Sequence, residues 1–296
     1  MKPNTPTSAY AYSTHTVDMR PPIDRWLDRW NVPPSPRMEF AVDDAPYLVT
    51  TEEGQVEALH ALSRVPPPSN GVLLGFANEF NYNILANRDV KRAVICDINA
   101  RMHRVYQWTE ENIRKYDYPS DFLVAFRSEI EKHPDIYESY LATPAGVIEH
   151  YEQDFMWTGD LRSYQKIRAM YQAGLITHVN LNLIRDEAYF DSLALWASEN
   201  GYVFDSIYVS NIPEWAVRGS GLNEMKNNLL KVLNPNTILV DAKQVRFESG
   251  KPRLRLSRGI VSMETFPDFK PVRRGLHRRM VRPILGNGAR GELNFQ

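Results

Sequence analysis

The sequence contains a single cysteine, Cys96, among its 296 residues. One cysteine cannot close a disulfide within the chain, and it excludes zinc and iron–sulfur sites that need several cysteines. No apolar stretch approaches the roughly 20 residues of a membrane-spanning helix. Residues 1–19 also lack the basic segment and apolar run of a secretory signal. We therefore expect a cytoplasmic protein without a membrane span.

An excess of one charge is also absent, because 35 Lys and Arg stand against 36 Asp and Glu. The net charge of -1 produces no overall attraction to nucleic acid, so such a partner would need a local basic patch. One basic cluster lies near the C-terminus and consists of Lys270, Arg273, Arg274, His277, Arg278, Arg279 and Arg282. Such clusters are usually solvated or paired with acidic groups, and this one has no interleaved aromatic residue to stack on bases. We do not expect nucleic acid as a partner, and the sequence does not predict the oligomeric state.

Three common site motifs are missing as well. The seven histidines show no metal-ligand spacing such as His-x-x-x-His. The chain contains neither Gly-x-Ser-x-Gly nor a Walker A motif. These absences predict no metal site and disfavour a hydrolase elbow or a phosphate-binding loop.

Strand-like and helix-like segments alternate along the middle of the chain. Short apolar runs bounded by turn residues are typical of buried parallel strands. Strands are predicted at residues 71–75, 93–98, 176–183, 203–210 and 237–241, and helices at 187–200 and 222–233. This alternation predicts an α/β, Rossmann-like fold with a mainly parallel sheet.

The rest of the chain completes the predicted organisation. Residues 101–171 are charged and helical, which predicts a helical insertion after the second strand. Alternation on both sides of Ser249-Gly250 predicts a C-terminal hairpin from residues 245–247 and 252–260. We expect an N-terminal arm over 1–46, packed through Trp26 and Trp30, one α/β domain over 47–262, and a basic tail over 263–296.

Ligands of open parallel sheets bind at the carboxyl ends of the strands, near the point where strand order reverses. The loops predicted there span residues 75–83, 97–101 and 210–215. Gly75 permits a tight turn beside a ligand, and the polar Asn78 and Glu79 follow it. Asp97 stands where a carboxylate can accept two hydrogen bonds from a ribose diol, although a helix N-cap is an alternative role. The ordered combination predicts a nucleotide-like ligand.

Three segments carry a resemblance to a known family. They read GVLLGFANEFNYN at 71–83, VICDIN at 94–99 and YVSNIPEW at 208–215. Together they resemble the class I S-adenosylmethionine-dependent methyltransferase fold, and more narrowly an uncharacterised bacterial methyltransferase-like family, over about residues 47–240. The Ser-Asn pair is also similar to that of lipid-linked 3-amino-3-carboxypropyl transferases.

This resemblance implies S-adenosylmethionine as the cofactor, with its methionine part near Gly75, its ribose on Asp97 and its adenine near Asn182. The cofactor-binding residues that it implies are Gly75, Ala77, Asn78, Glu79, Asp97, Ile98 and Asn182. The family's loop normally carries several glycines, whereas Gly75 stands here among bulky residues. A different ligand, or none, is therefore an alternative.

Ser210, Asn211 and Glu214 are the candidate catalytic residues. An Asn amide and nearby carbonyls can orient a nucleophile toward a sulfonium methyl group, where positioning supplies most of the rate. Glu214 can act as a base for an alcohol or ammonium acceptor, or can be a capping or surface residue. Tyr82 and Trp215 can stack on a ligand ring or belong to the core.

The leading hypothesis is therefore methyl transfer to a small or polymer-linked acceptor. Transfer of a 3-amino-3-carboxypropyl group and non-catalytic binding of a nucleotide-like ligand are the alternatives.

Overall fold

The computed structural model describes residues 32–77, 79–137, 143–218, 221–244 and 252–258. Several sequence predictions lie outside these residues. They concern Trp26, Trp30, Asn78, the first hairpin segment at 245–247, and the basic tail.

The described strands form one sheet in the order β3-β2-β1-β4-β5-β6. They are β1 Gly71–Phe76, β2 Arg92–Asp97, β3 Ile176–Asn180, β4 Val203–Ser210, β5 Ile238–Gln244 and β6 Pro252–Arg258. Strands β1 to β5 pair in parallel, and β6 pairs antiparallel with β5. The predicted Rossmann-like α/β class, with a mainly parallel sheet and a C-terminal hairpin, is confirmed.

Helices cover both faces of this sheet. They are α1 Gln55–Ser63, α2 Phe80–Asn87, α3 Ala100–Ile113, α4 Pro119–Lys132, α5 Pro134–Tyr137, α6 Pro144–Tyr151, α7 Leu161–Gln172, α8 Glu187–Glu199, α9 Ile212–Arg218 and α10 Leu222–Val232. Helices α3 to α7 lie between β2 and β3 in the chain, which confirms the predicted helical insertion. No helix in the described part of the chain is long and apolar enough to cross a membrane.

Side chains of each central strand alternate between two hydrophobic cores. Leu73 and Ile95 belong to the core that the helical insertion covers, whereas Val72 and Val94 belong to the core under α8 and α10. Both faces of β1 and β2 are thus buried, which explains why these strands are continuous apolar runs rather than alternating patterns.

Local sequence also determines where several helices begin and end. Asn99 caps α3 by accepting a hydrogen bond from the Arg101 amide at 2.9 Å. Asp160 caps α7 in the same way, with the Arg162 amide 2.8 Å from its side-chain oxygen. Gly201 follows α8 with a φ of 66°, a left-handed conformation that glycine adopts without steric cost. It lies where the sequence predicts the helix to stop.

A buried ion pair joins the end of α2 to β4. Arg88 donates to both carboxylate oxygens of Asp205, with Nε–Oδ2 and Nη2–Oδ1 distances of 2.7 and 2.5 Å. The same guanidinium donates to the carbonyl oxygens of Leu62, in the last turn of α1, and of Val65, which follows that helix. The pair therefore connects three elements on the side of the sheet where the strands begin.

Residues 32–46, the described part of the predicted arm, lie along the carboxyl ends of β2 and β3. Ser35 Oγ accepts a hydrogen bond from the Asn180 amide at 3.0 Å, and the Val42 amide donates to Ile98 O at 3.1 Å. Arg37 forms an ion pair with Asp186 at 2.8 Å. These contacts place the segment next to the edge where ligands are expected.

Candidate functional site

The strand order reverses between β1 and β4, and two residues with unusual backbones flank that point. Ala77 follows β1 with a φ of 62°, and Ser210 ends β4 with a φ of 52°. They are the non-glycine residues of the described chain that adopt positive φ. Such conformations cost on the order of 1–3 kcal/mol each and cluster at functional sites. The switch point is therefore the candidate ligand site.

Gly75 faces a protein side chain. A Cβ atom at this position would lie 1.8 Å from Asn81 Oδ1. The Asn81 amide nitrogen donates to the carbonyl oxygens of Phe76 and Ala77, each at 3.2 Å. The glycine thus allows α2 to pack closely on β1 and hold the loop after it. Its role in cofactor binding stays a prediction.

Glu79 brings a buried carboxylate to the end of β1. Its Oε1 accepts hydrogen bonds from the Thr50 amide at 2.6 Å and from His150 Nε2 at 3.1 Å. Its Oε2 is buried and has no hydrogen-bond partner among the described residues. A buried polar atom without a partner costs about 1–3 kcal/mol, more if charged, so this oxygen is available to a ligand donor.

Glu52 is a second buried carboxylate at this point, and sequence reasoning missed it. Its Oε2 accepts a hydrogen bond from the Tyr208 hydroxyl at 2.6 Å, and its Oε1 accepts one from Ser210 Oγ. Burial is the main reason that the Glu52 pKa rises from 4.5 to about 7, and the charges of Glu79 and Asp241 add to it. No local motif marks Glu52, which comes from the segment before α1.

Asp241 extends this acidic region to β5. Arg255 on β6 donates Nε to Asp241 Oδ1 at 2.9 Å and Nη2 to Oδ2 at 2.5 Å. Burial nevertheless raises the pKa of Asp241. The described part of the chain contains no group of His, Cys, Asp and Glu residues that could hold a metal ion.

Asp97 ends β2, as predicted, and is 9% exposed. Its Oδ1 accepts a hydrogen bond from the Asn99 amide at 2.9 Å. Burial raises its pKa from 3.8 to about 7, against the opposing effect of hydrogen bonds from the Asn99 and Ile98 backbone. The Tyr106 hydroxyl contacts both the Asp97 carboxylate and the Ala77 carbonyl oxygen, to which it donates. This tyrosine therefore links the ends of β1 and β2.

His103 and Phe40 border the Asp97 position. His103 Nε2 lies 3.0 Å from the Asp97 carbonyl oxygen, which can only accept, so this nitrogen carries the proton. Burial lowers the His103 pKa to about 4, which keeps the ring neutral at pH 7. The Phe40 and His103 ring centroids are 4.7 Å apart. A ribose on Asp97 would therefore lie beside the segment that contains Phe40.

Asn182, the residue predicted near adenine, uses its side-chain oxygen in a turn. Asn182 Oδ1 accepts hydrogen bonds from the amides of Ile184 and Arg185 at 2.9 and 3.2 Å. Asn180 is the direct partner of Asp97 in the β2–β3 register, and its buried Oδ1 has no partner among the described residues. Sequence reasoning missed Asn180, because the strand was predicted to continue to residue 183, whereas it ends at Asn180.

The three catalytic candidates are consecutive in the fold: Ser210 ends β4, Asn211 lies in the turn into α9, and Glu214 lies in the first turn of α9. Ser210 is buried and donates to Glu52, whereas Asn211 and Glu214 are half-buried. The Glu214 amide donates to Asn211 O at 3.0 Å, which closes the turn. Trp215 is 52% exposed. The structure thus brings Ser210 to a buried carboxylate, and the catalytic roles of all three stay predictions.

Tyr82 belongs to the core under the helical insertion. Its hydroxyl lies 2.7 Å from that of Tyr171, which in turn lies 3.0 Å from His178 Nε2. Its ring contacts Trp157 at a centroid distance of 5.3 Å. These contacts favour the core role over ligand stacking.

Comparisons with known proteins identify a family that this chain matches and two solved structures with weak structural similarity to it. Residues 47–259 match the family described as "Domain of unknown function (DUF7790)". Two solved structures of the rRNA methyltransferase aviRa from Streptomyces viridochromogenes are similar, with 11% and 10% identity and TM-scores of 0.37 and 0.38. Each alignment covers 69% of this chain and 83% of that chain. No curated protein matches.

Proposed function

We propose that this chain, which belongs to the DUF7790 family, binds S-adenosylmethionine at the switch point and transfers its methyl group to an acceptor. The observation that carries the proposal is the buried Oε2 of Glu79, which has no hydrogen-bond partner among the described residues and lies just after the left-handed Ala77 at the end of β1. A buried carboxylate oxygen at a switch point suits a ligand that brings positive charge and hydrogen-bond donors.

The residues present fit this cofactor by charge. The cofactor is a net cation that carries an ammonium group, a sulfonium group, a carboxylate group and a ribose diol. Three carboxyl groups lie at strand ends. Glu79 lies at the end of β1 and Asp97 at the end of β2, and Glu52, from the segment before α1, contacts the end of β4. Among the described residues, no lysine or arginine forms an ion pair with Glu79 or Glu52. A cationic ligand would therefore supply the missing positive charge.

Each residue has a distinct role in the proposal. Glu79 would accept from the ammonium group, Asp97 would accept from the diol beside Ile98, and Asn180 Oδ1 would accept from the adenine amino group. When bound, the cofactor supplies an electrophilic methyl group. Ser210 and Asn211 would orient the acceptor at the end of β4, where positioning supplies most of the rate.

The acceptor that we propose is a small or polymer-linked molecule. The expectation that it is not nucleic acid stays a prediction, because the arginines on which it rests lie outside the described residues. The products separate the alternatives. S-adenosylhomocysteine marks methyl transfer, methylthioadenosine marks 3-amino-3-carboxypropyl transfer, and neither product with bound cofactor marks a binding protein.

Calorimetry with S-adenosylmethionine tests the proposed binding. Replacing Glu79 by Gln removes one charge-assisted hydrogen bond, worth about 1.5–3 kcal/mol, so affinity should fall roughly 10- to 100-fold. Glu187→Gln is the matched control, because that side chain is 70% exposed and pairs with Lys231 on the surface. No heat with the parent protein would refute the binding proposal, and equal affinity of the Glu79 variant would refute the role of Glu79.

A further inference from the structure

Glu52 is held rigidly above the ends of β4 and β5. The Glu53 amide donates to Pro252 O at 2.8 Å, and the Leu254 amide donates to Glu53 O at 2.9 Å, so the segment is fastened to β6. The Glu52 amide also lies 3.4 Å from Thr50 Oγ1. These hydrogen bonds hold the backbone next to Glu52 in place and thereby position its carboxylate at Tyr208 and Ser210.

The surroundings of this carboxylate contain hydroxyls and acids. Among the described residues, Tyr208 and Ser210 donate hydrogen bonds to its two oxygens, and no cationic side chain forms an ion pair with it. The titratable and charged groups that face it are Tyr208 on β4, Glu79 with its partner His150, and Asp241 with its partner Arg255. Glu79 and Asp241 are both carboxyl groups, and negative charge on them disfavours ionisation of Glu52 nearby.

We propose that Glu52 makes this site selective for a cationic over a neutral ligand, because at mildly acidic pH it carries a proton in the empty site and releases it when positive charge enters. The identity of the ligand rests on the proposed function. The raised pKa of Glu52, about 7, agrees with this role. The proton passes to the solvent, and the ionised carboxylate then lies beside the ligand's charge.

This coupling has a calculable pH dependence. A group with a pKa near 7 is ionised in about one-tenth of empty sites at pH 6 and in about three-quarters at pH 7.5. A ligand that binds only the ionised form therefore gains about eightfold in affinity over this interval. A ligand without the cationic group should gain much less.

S-adenosylmethionine and S-adenosylhomocysteine are suitable probes because both carry the same ammonium group and differ in the charge at sulfur. Their affinities for the parent protein, Glu52→Gln and the surface control Glu187→Gln are measured by calorimetry at pH 6 and pH 7.5. We expect the preference for S-adenosylmethionine to rise with pH about eightfold more in the parent and in Glu187→Gln than in Glu52→Gln. The titration of the ligands themselves is common to all three proteins and cancels.

The outcomes separate this inference from the proposed function. Absence of binding by both ligands to the parent would refute both, whereas binding with an equal pH dependence in Glu52→Gln would overturn only the role of Glu52. If circular dichroism shows that Glu52→Gln does not fold, the number of protons that the parent protein releases on ligand binding tests the inference instead. Heats in two buffers of different ionisation enthalpy should show more protons released at pH 6 by S-adenosylmethionine than by S-adenosylhomocysteine, and equal release would overturn the inference.

Discussion

Replacing Asp97 by Asn should change how the stability of this protein depends on pH. Burial raises the Asp97 pKa from 3.8 to about 7, so the folded chain keeps a proton that the unfolded chain has already lost. The contribution of Asp97 to stability is therefore fully present below about pH 4, falls as pH rises toward 7, and is constant above that.

The size of the effect follows from the two pKa values. Between pH 5 and pH 8 the parent should lose about 2.5 kcal/mol of unfolding free energy through this one group. Asp97→Asn cannot lose a proton, and its side-chain oxygen can still accept the hydrogen bond from the Asn99 amide. Stability of the variant relative to the parent should therefore rise by about 2.5 kcal/mol over this range.

Urea unfolding at pH 5, 6, 7 and 8 measures this difference. The urea concentrations at the midpoints of unfolding are compared where the m-value, the dependence of unfolding free energy on urea, is the same. Other groups with raised pKa values, Glu52 among them, titrate in both proteins and cancel in the comparison. Asp117→Asn serves as the control, because that side chain is 70% exposed and pairs with Arg168. Parallel curves for the parent and Asp97→Asn would show that the buried carboxyl ionises normally, and would refute the reasoning.

Two further predictions concern stability. Asp205→Ala should lower the free energy of unfolding in urea by about 3–5 kcal/mol, because it leaves the buried Arg88 guanidinium uncompensated. The double variant Arg88→Met, Asp205→Leu should lose much less, and an equal loss in both variants would contradict this. Gly75→Ala should cost about 1–3 kcal/mol by overpacking against Asn81, and adding Asn81→Ala should recover part of the loss in thermal unfolding. An additive double variant would show that the two side chains do not compete for the same space.

The strands were predictable because burial on both faces leaves a mark in the sequence. Residues 71–75 and 93–98 had to be apolar throughout to pack against helices on each side, and they became neighbouring strands in register. The helical insertion was predictable for a related reason, since its charged sequence interrupted the strand pattern over a long interval. Asp97 was likewise predictable as a strand-end carboxylate.

The candidate ligand site depended more on tertiary contacts. Gly75 suggested room for a ligand, yet the Asn81 side chain takes that space, which local sequence does not reveal. Asn182 carried a predicted role in adenine binding, while the register placed Asn180 beside Asp97. Such details follow from how helices and strands pack, and single-sequence patterns report only which elements form.

Composition and periodicity by themselves determined the fold class, because each element must bury its own apolar face. The pairing of Glu52 with Ser210, separated by 158 residues, was decided by tertiary structure alone. No spacing rule connects residues so far apart, and the raised pKa of Glu52 arises from burial and from Glu79 and Asp241, which only the folded sheet brings near it. Sequence thus determined where a ligand site should form, and folding decided which carboxyl groups occupy it.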